Sequence, residues 1–179
     1  MKNNMKLIQK FLMIVMVMLA WSSITISAKG DKVDDNHLSC DGPYVIYLPD
    51  GGVRVVSVTV AGEVKDTTYA SLPDNFTLHV TDHEGNYPFD VRLHPVVRQE
   101  WKQSQAKKTF VMSDPHGRLN LVISLLQANG VIDSQLRWSY GDNQLVVIGD
   151  IFDRGYDVPQ IFWLFYKLEA EAAECGGRV

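Results

Sequence analysis

The stretch LVVIGDIFDRG, Leu145 to Gly155, decides the fold. Four apolar residues, Leu145 to Ile148, stop abruptly at Gly149, Asp150, Asp153, Arg154 and Gly155. A short apolar run bounded by glycine reads as a buried strand, so these charges stand at its carboxyl end. In open α/β sheets that edge is where loops from successive units converge and where ligands bind.

Working outward from this strand, the same pattern recurs upstream. TFVMS, Thr109 to Ser113, is a short apolar strand that ends at Asp114, Pro115, His116 and Gly117. Leu119, Val122, Ile123 and Leu126 then follow at helical spacing, with Gly130 placed as a stop. Downstream of Gly155, Asp157 is placed to cap a second helix and Pro159 falls in its first turn. Ile161, Phe162, Leu164, Phe165 and Leu168 form its predicted apolar face, and Gly176 and Gly177 its terminator. The order strand, helix, strand, helix predicts an α/β arrangement with parallel strands joined by a crossover. Neighbouring parallel strands lie about 4.8 Å apart, which brings Asp114 and Asp150 to one place.

Two carboxylates and an imidazole gathered there repel or lose charge unless a cation sits among them. Mixed carboxylate and imidazole donors suit manganese, iron or zinc rather than calcium, whose ligands are oxygens. Arg154 offers a planar fork of donors suited to a phosphoryl group. A plainer reading also exists for each residue alone: aspartates after strands cap helices, and Asp153 can simply pair with Arg154. The joint arrangement favours a metal and phosphate site.

DPHG at Asp114 to Gly117 and GDIFDRG at Gly149 to Gly155 resemble the first two motifs of the calcineurin-like metallophosphoesterase family, DxHG and GDxxDRG. The DRG ending is similar to protein serine/threonine phosphatases, Shewanella-like phosphatases and bis(5'-nucleosyl)tetraphosphatases. The resemblance covers roughly Thr109 to Val179. It implies an α+β sandwich around two divalent ions (manganese, iron or zinc) that activate water against a phosphomonoester. In that scheme Asp114 and His116 bind the first metal and Asp150 bridges both. Asp153 orients the histidine of a third motif, and Arg154 holds the substrate phosphate, which makes Asp153 and Arg154 the catalytic pair. The third motif, GNH, does not occur, and no histidine follows His116. His37, His79, His83 and His94 fall in the preceding segments and are not taken as substitutes. The expectation is therefore the N-terminal part of a longer phosphoesterase, with Arg178 and Val179 opening a further strand. Negligible hydrolysis of p-nitrophenyl phosphate is expected from the 179-residue chain with added manganese.

The preceding half is of another kind. Lys2, Lys6 and Lys10, then FLMIVMVMLAW (Phe11 to Trp21) and a small-residue stretch ending at Ala28, follow the pattern of a cleaved export signal over residues 1–28. That predicts a periplasmic or secreted protein; an uncleaved membrane anchor is the alternative, although the apolar core is short for a span. Residues 29–40 read as a linker. From Asp41 to about Pro95, short alternating runs separated by Asp, Gly, Asn and Pro predict a small antiparallel β module. Asp50, Gly51 and Gly52 mark one of its hairpin turns. A polar stretch extends this segment to residue 105, before the α/β part at 106–179.

A net charge of −4 with no basic tract argues against nucleic-acid binding. Cys40 and Cys175 give neither a disulfide framework nor a metal signature. The expected partner is a phosphorylated substrate, a phosphoprotein or a small phosphoester. Hydrolysis of dinucleoside polyphosphates is a second possibility, disfavoured by the export signal. A third is a non-catalytic binding protein that uses the β module. Tyr44, Tyr47, Tyr69 and Phe76 of that module are read as core rather than contact residues.

Overall fold

The structure, a computed structural model, describes residues 40–179 apart from Val97, Gln99 and Trp101. The leader at 1–28, most of the linker and His37 lie outside the described residues. Among the described residues nine elements follow one another: β1 (Asp41–Tyr47), β2 (Val53–Val58), β3 (Val64–Tyr69), β4 (Thr77–Val80), β5 (Phe89–Arg92), β6 (Thr109–Ser113), α1 (Leu119–Ala128), β7 (Gln144–Ile148) and α2 (Val158–Glu174). Sheets and helices are thus mixed, with the first five strands antiparallel and the last two parallel.

β1, β2 and β3 form a meander, with Tyr47 opposite Val53 and Val53 opposite Tyr69. The β1–β2 turn closes where its glycines were expected, through the Leu48 amide on the Gly52 carbonyl at 2.8 Å. β4 and β5 form a separate hairpin in which Leu78, Val80, Phe89 and Val91 alternate inward, the period-2 pattern of a sheet with one buried face. β6 and β7 pair in parallel from Thr109 opposite Gln144 to Ser113 opposite Ile148. Arg178 adds a parallel bridge to Gln144, where the Leu145 amide donates to the Arg178 carbonyl at 3.0 Å.

α1 buries Leu119, Val122, Ile123 and Leu126, the four residues whose spacing predicts it. α2 buries Ile161, Leu164, Phe165 and Leu168, joined by Gln160 and Ala172. Phe162 departs from the prediction: it is exposed, and its ring packs on that of Phe152 with centroids 5.3 Å apart. Both helices end as Schellman motifs. The Val131 amide donates to the Leu126 carbonyl at 2.9 Å, and the Gly177 amide to the Ala172 carbonyl at 2.8 Å.

The inner face of the β4–β5 hairpin joins the two helices and the parallel strands in one hydrophobic core. Each fully buried leucine there contributes about 1.5–3 kcal/mol relative to an exposed one. α2 is the element that reaches both halves. Trp163 donates its indole N–H to the Pro43 carbonyl at 2.7 Å, and Tyr166 stacks on His94 with ring centroids 3.9 Å apart. Two of the tyrosines read as core are not: Tyr44 and Tyr47 are exposed, whereas Tyr69 and Phe76 are half-buried and pack edge to face at 5.3 Å. Alternation puts Tyr44 and Ile46 together on the solvent face of β1, whereas Tyr47 points the other way and is exposed at the end of the strand. Both cysteines are free thiols, Cys40 half-buried and Cys175 exposed. Among the described residues no helix is long and apolar enough to cross a membrane.

Candidate metal centre

Asp114 follows β6 directly, and Asp150 stands two residues beyond β7. The parallel pairing continues into the loops. The Asp114 amide donates to the Ile148 carbonyl at 3.2 Å, the His116 amide to the Asp150 carbonyl at 3.0 Å and the Gly117 amide to the Ile151 carbonyl at 2.9 Å. The return contact runs from the Gly155 amide to the His116 carbonyl at 2.8 Å. With the Asp157 amide on the Gly117 carbonyl at 2.9 Å, five backbone hydrogen bonds hold the two loops together at the carboxyl edge of the sheet.

Such interleaving needs bare backbone. A Cβ on Gly117 would lie 2.7 Å from the Gly155 carbonyl oxygen, and one on Gly155 would overlap the Gly117 carbonyl. A Cβ on Gly149 would lie 2.7 Å from the Asp114 carboxylate, so this glycine leaves the space that the carboxylate fills. The chain also turns through left-handed conformations at Asp114 (φ 50°), His116 (φ 47°), Asp153 (φ 73°) and Arg154 (φ 74°). Aspartate and histidine visit this region more readily than most residues. For arginine the conformation costs on the order of 1–3 kcal/mol and persists only because the surrounding contacts over-determine it.

The result is one cluster. Donor atoms of Asp114, His116 and Asp150 all lie within 4.8 Å of one another. Donors that share an ion at ~2.0–2.2 Å lie at most about 4.4 Å apart, so closing on one requires shifts of a few tenths of an ångström. The cluster is solvent-accessible: the two carboxylates are exposed and His116 is half-buried. The Asp114 carboxylate accepts from the Asp150 amide at 3.3 Å and from the Ser113 hydroxyl. His116 places Nδ1 at 2.9 Å from the Phe152 carbonyl oxygen. A carbonyl only accepts, so Nδ1 carries the proton and Nε2 presents its lone pair. This is the tautomer that a metal ligand needs, fixed by the kind of carbonyl partner that ligating histidines use. The donor set, the tautomer and the cradle at Gly149 fit a metal ion.

Asp153 and Arg154 lie in the loop between the Phe152 carbonyl and the Gly155 amide that bond to His116, with side chains 76% and 70% exposed and the Arg154 Nε 3.7 Å from an Asp153 carboxylate oxygen. A pair this open contributes little to stability, which leaves the guanidinium available to an anion. Among the described residues the ionic partner of Asp153 is Arg154, and no histidine is bonded to it. The structure therefore brings Asp114, His116 and Asp150 together and sets Asp153 and Arg154 beside them. Sequence reasoning missed the Phe152 carbonyl and the Ser113 hydroxyl, since neither a backbone oxygen nor a lone serine carries a signal. The closeness of Gly117 and Gly155 could have been read from two motifs that both end in glycine.

No family model matches the chain. Over 73 residues it is 33% identical to Shewanella-like protein phosphatase 2 of Arabidopsis thaliana, a stretch covering 41% of this chain and 19% of that protein. Over 72 residues it is 35% identical to an uncharacterised protein of Schizosaccharomyces pombe, covering 39% of this chain and 22% of the other. Among solved structures it matches the cold-active protein-tyrosine phosphatase of a psychrophilic Shewanella with a TM-score of 0.64 at 30% identity, over 78% of this chain and 41% of that one. A second structure of the cold-active enzyme matches with a TM-score of 0.63 at 29% identity, over 78% of this chain and 40% of the other. The chain spans about a fifth of the length of the curated relatives it matches and about two fifths of the solved structures. It is similar to phosphatases in both sequence and fold.

Proposed function

We propose that this chain carries the first part of a metal-dependent phosphoesterase centre of the calcineurin-like type, acting on phosphorylated protein side chains. The observation that carries the reading is the single cluster of Asp114, His116 and Asp150, with Arg154 in the loop whose Phe152 carbonyl and Gly155 amide bond to His116. Divalent ions bound there would polarise phosphoryl oxygens and lower the pKa of water. The chain's own residues supply the rest of the chemistry. The Phe152 carbonyl keeps the His116 proton on Nδ1, the Gly149 cradle and the Asp150 amide fix the Asp114 carboxylate, and Arg154 offers paired donors to two oxygens of one phosphate.

Two ions ~3.5–4 Å apart are the arrangement that clamps an in-line displacement, and each needs several donors. Among the described residues three donor groups gather, enough for one ion and for a carboxylate bridge toward a second. Binding without efficient turnover is the behaviour this donor count supports. The names of the similar proteins favour phosphoprotein, phosphotyrosine included, over dinucleoside polyphosphates. Export through the leader at 1–28 remains part of the proposal.

The test is inorganic phosphate binding to the full chain, measured calorimetrically with and without manganese. Phosphate is expected to bind only when the metal is present, with affinity falling roughly tenfold or more in Arg154→Ala, as for loss of a charge-assisted bidentate partner. Phosphate binding indifferent to both manganese and Arg154 would contradict the reading.

A further inference from the structure

Asp157 occupies the N-cap position of α2, yet its side chain caps nothing: it makes no hydrogen bond to the first turn. The carboxylate is buried, 4% exposed, and faces the β module instead. Its Oδ1 accepts the backbone N–H of His83 at 2.8 Å and the His83 ring at Nδ1 at 2.9 Å, across 74 residues of sequence. A carboxylate beside that nitrogen makes Nδ1 the donor. The backbone N–H of Asp157 meanwhile donates to the Gly117 carbonyl at 2.9 Å. One residue thus joins three segments: the turn after β4, the loop bearing Asp114 and His116, and the end of the loop bearing Asp150.

The turn that presents His83 is itself built for the purpose. Asp82, also buried, accepts the Tyr87 amide on its carboxylate at 2.8 Å and the Gly85 amide on its carbonyl at 3.0 Å. The His83 ring lies against Tyr156, the residue before Asp157, with centroids 4.9 Å apart. At the far side of the ring, Nε2 stands 3.9 Å from the Glu84 carboxylate.

We propose that His83 is a positioning residue for the metal centre: through Asp157 and the Gly117 carbonyl it fixes the spacing of the two ligand-bearing loops. The inference rests on the metal-centre reading above, and it gives the β module a part in assembling that centre. A buried carboxylate left with the His83 backbone N–H alone, its ring donor gone, carries a desolvation cost, and the segment that bears it moves toward water. The Gly117 and Gly155 backbones are packed too closely to follow without shifting Asp114, His116 and Asp150 relative to one another.

The test uses cobalt, whose visible absorption reports both affinity and coordination, with the full chain and five variants, one of them Asp150→Asn. Asparagine puts an amide N–H near the place of Nδ1, whereas glutamine carries it one bond further out. His83→Asn is therefore expected to bind cobalt within about threefold of the wild type, and His83→Gln and His83→Ala about tenfold more weakly, the low end for outer-shell partners. Val91→Ala, a core truncation in the same hairpin, is expected to lower thermal stability and leave cobalt affinity and spectrum unchanged. Hydrogen exchange should accelerate at residues 114–117 and 150–157 in His83→Gln and not in Val91→Ala. Wild-type affinity in every His83 variant, or an equal loss in Val91→Ala, would overturn the positioning role alone. A wild-type chain with no cobalt spectrum that depends on Asp150 would overturn the metal-centre reading and this inference with it.

Discussion

At the scale of single residues, the site depends on what is missing from Gly149 and Gly155 as much as on what Asp114, His116 and Asp150 present. Gly155 is the sharper test, because its own φ is not left-handed and it is the closeness of the Gly117 and His116 carbonyls that forbids a side chain. Gly155→Ala is expected to lower the unfolding free energy by about 1–3 kcal/mol, the usual cost of overpacking, and to weaken cobalt binding. Urea denaturation and a cobalt titration check this; an unchanged midpoint and affinity would show that the loops do not need to interleave. Much of this was legible in the sequence, because carboxylates and imidazole at two strand ends have few other reasons to be together. The partner of His116 was not. Which backbone carbonyl meets Nδ1 follows from the left-handed turns at Asp153 and Arg154, and no residue type announces those.

Among the elements, α1 and α2 were readable from their apolar spacing, and β4 and β5 from alternation. Phe162 and Tyr44 were not, since periodicity marks an apolar face without saying how far the neighbouring element covers it. Asp157 was placed correctly at the start of α2 but given the wrong work. An N-cap assignment considers only the helix's own amides, and His83 competes for the same oxygen from another element. The start of β1 provides a check on how closely that strand docks at this point. Cys40 sits between β1, the turn after β4 and the N-terminal end of α2, with its Sγ 3.8 Å from the Thr81 carbonyl oxygen. Burial pushes its thiol up from the ordinary range, and the charges of Asp157, Asp82 and Asp41 push it further the same way. A raised pKa lowers the thiolate fraction at any given pH, and the thiolate is the reactive form. Alkylation by iodoacetamide should therefore be slow at Cys40 in the native chain, keep rising with pH beyond the point where a denatured-state thiol levels off, and lose this lag in urea. Equal native and denatured rates would mean that β1 does not dock on α2.

For the molecule as a whole, the sequence divides into a β-rich half and an α/β half, and the structure shows what that division hides. Leu78, Val80, Phe89 and Val91 share a core with both helices, while His83, His94 and Pro43 bond to α2 or its cap. Contacts of this kind join residues more than 70 positions apart and leave no local pattern to read. The match to the solved Shewanella phosphatase covers 78% of the chain at 30% identity, and the match to the Arabidopsis phosphatase covers 41%. The central claim remains that Asp114, His116 and Asp150 together hold a divalent ion. The most direct measurement is paramagnetic broadening of backbone amide resonances in the full chain titrated with manganese, repeated on Asp150→Asn. Broadening centred on residues 113–117 and 149–154, and lost in Asp150→Asn, is the expected result. Broadening centred elsewhere, or unchanged by Asp150→Asn, would contradict it.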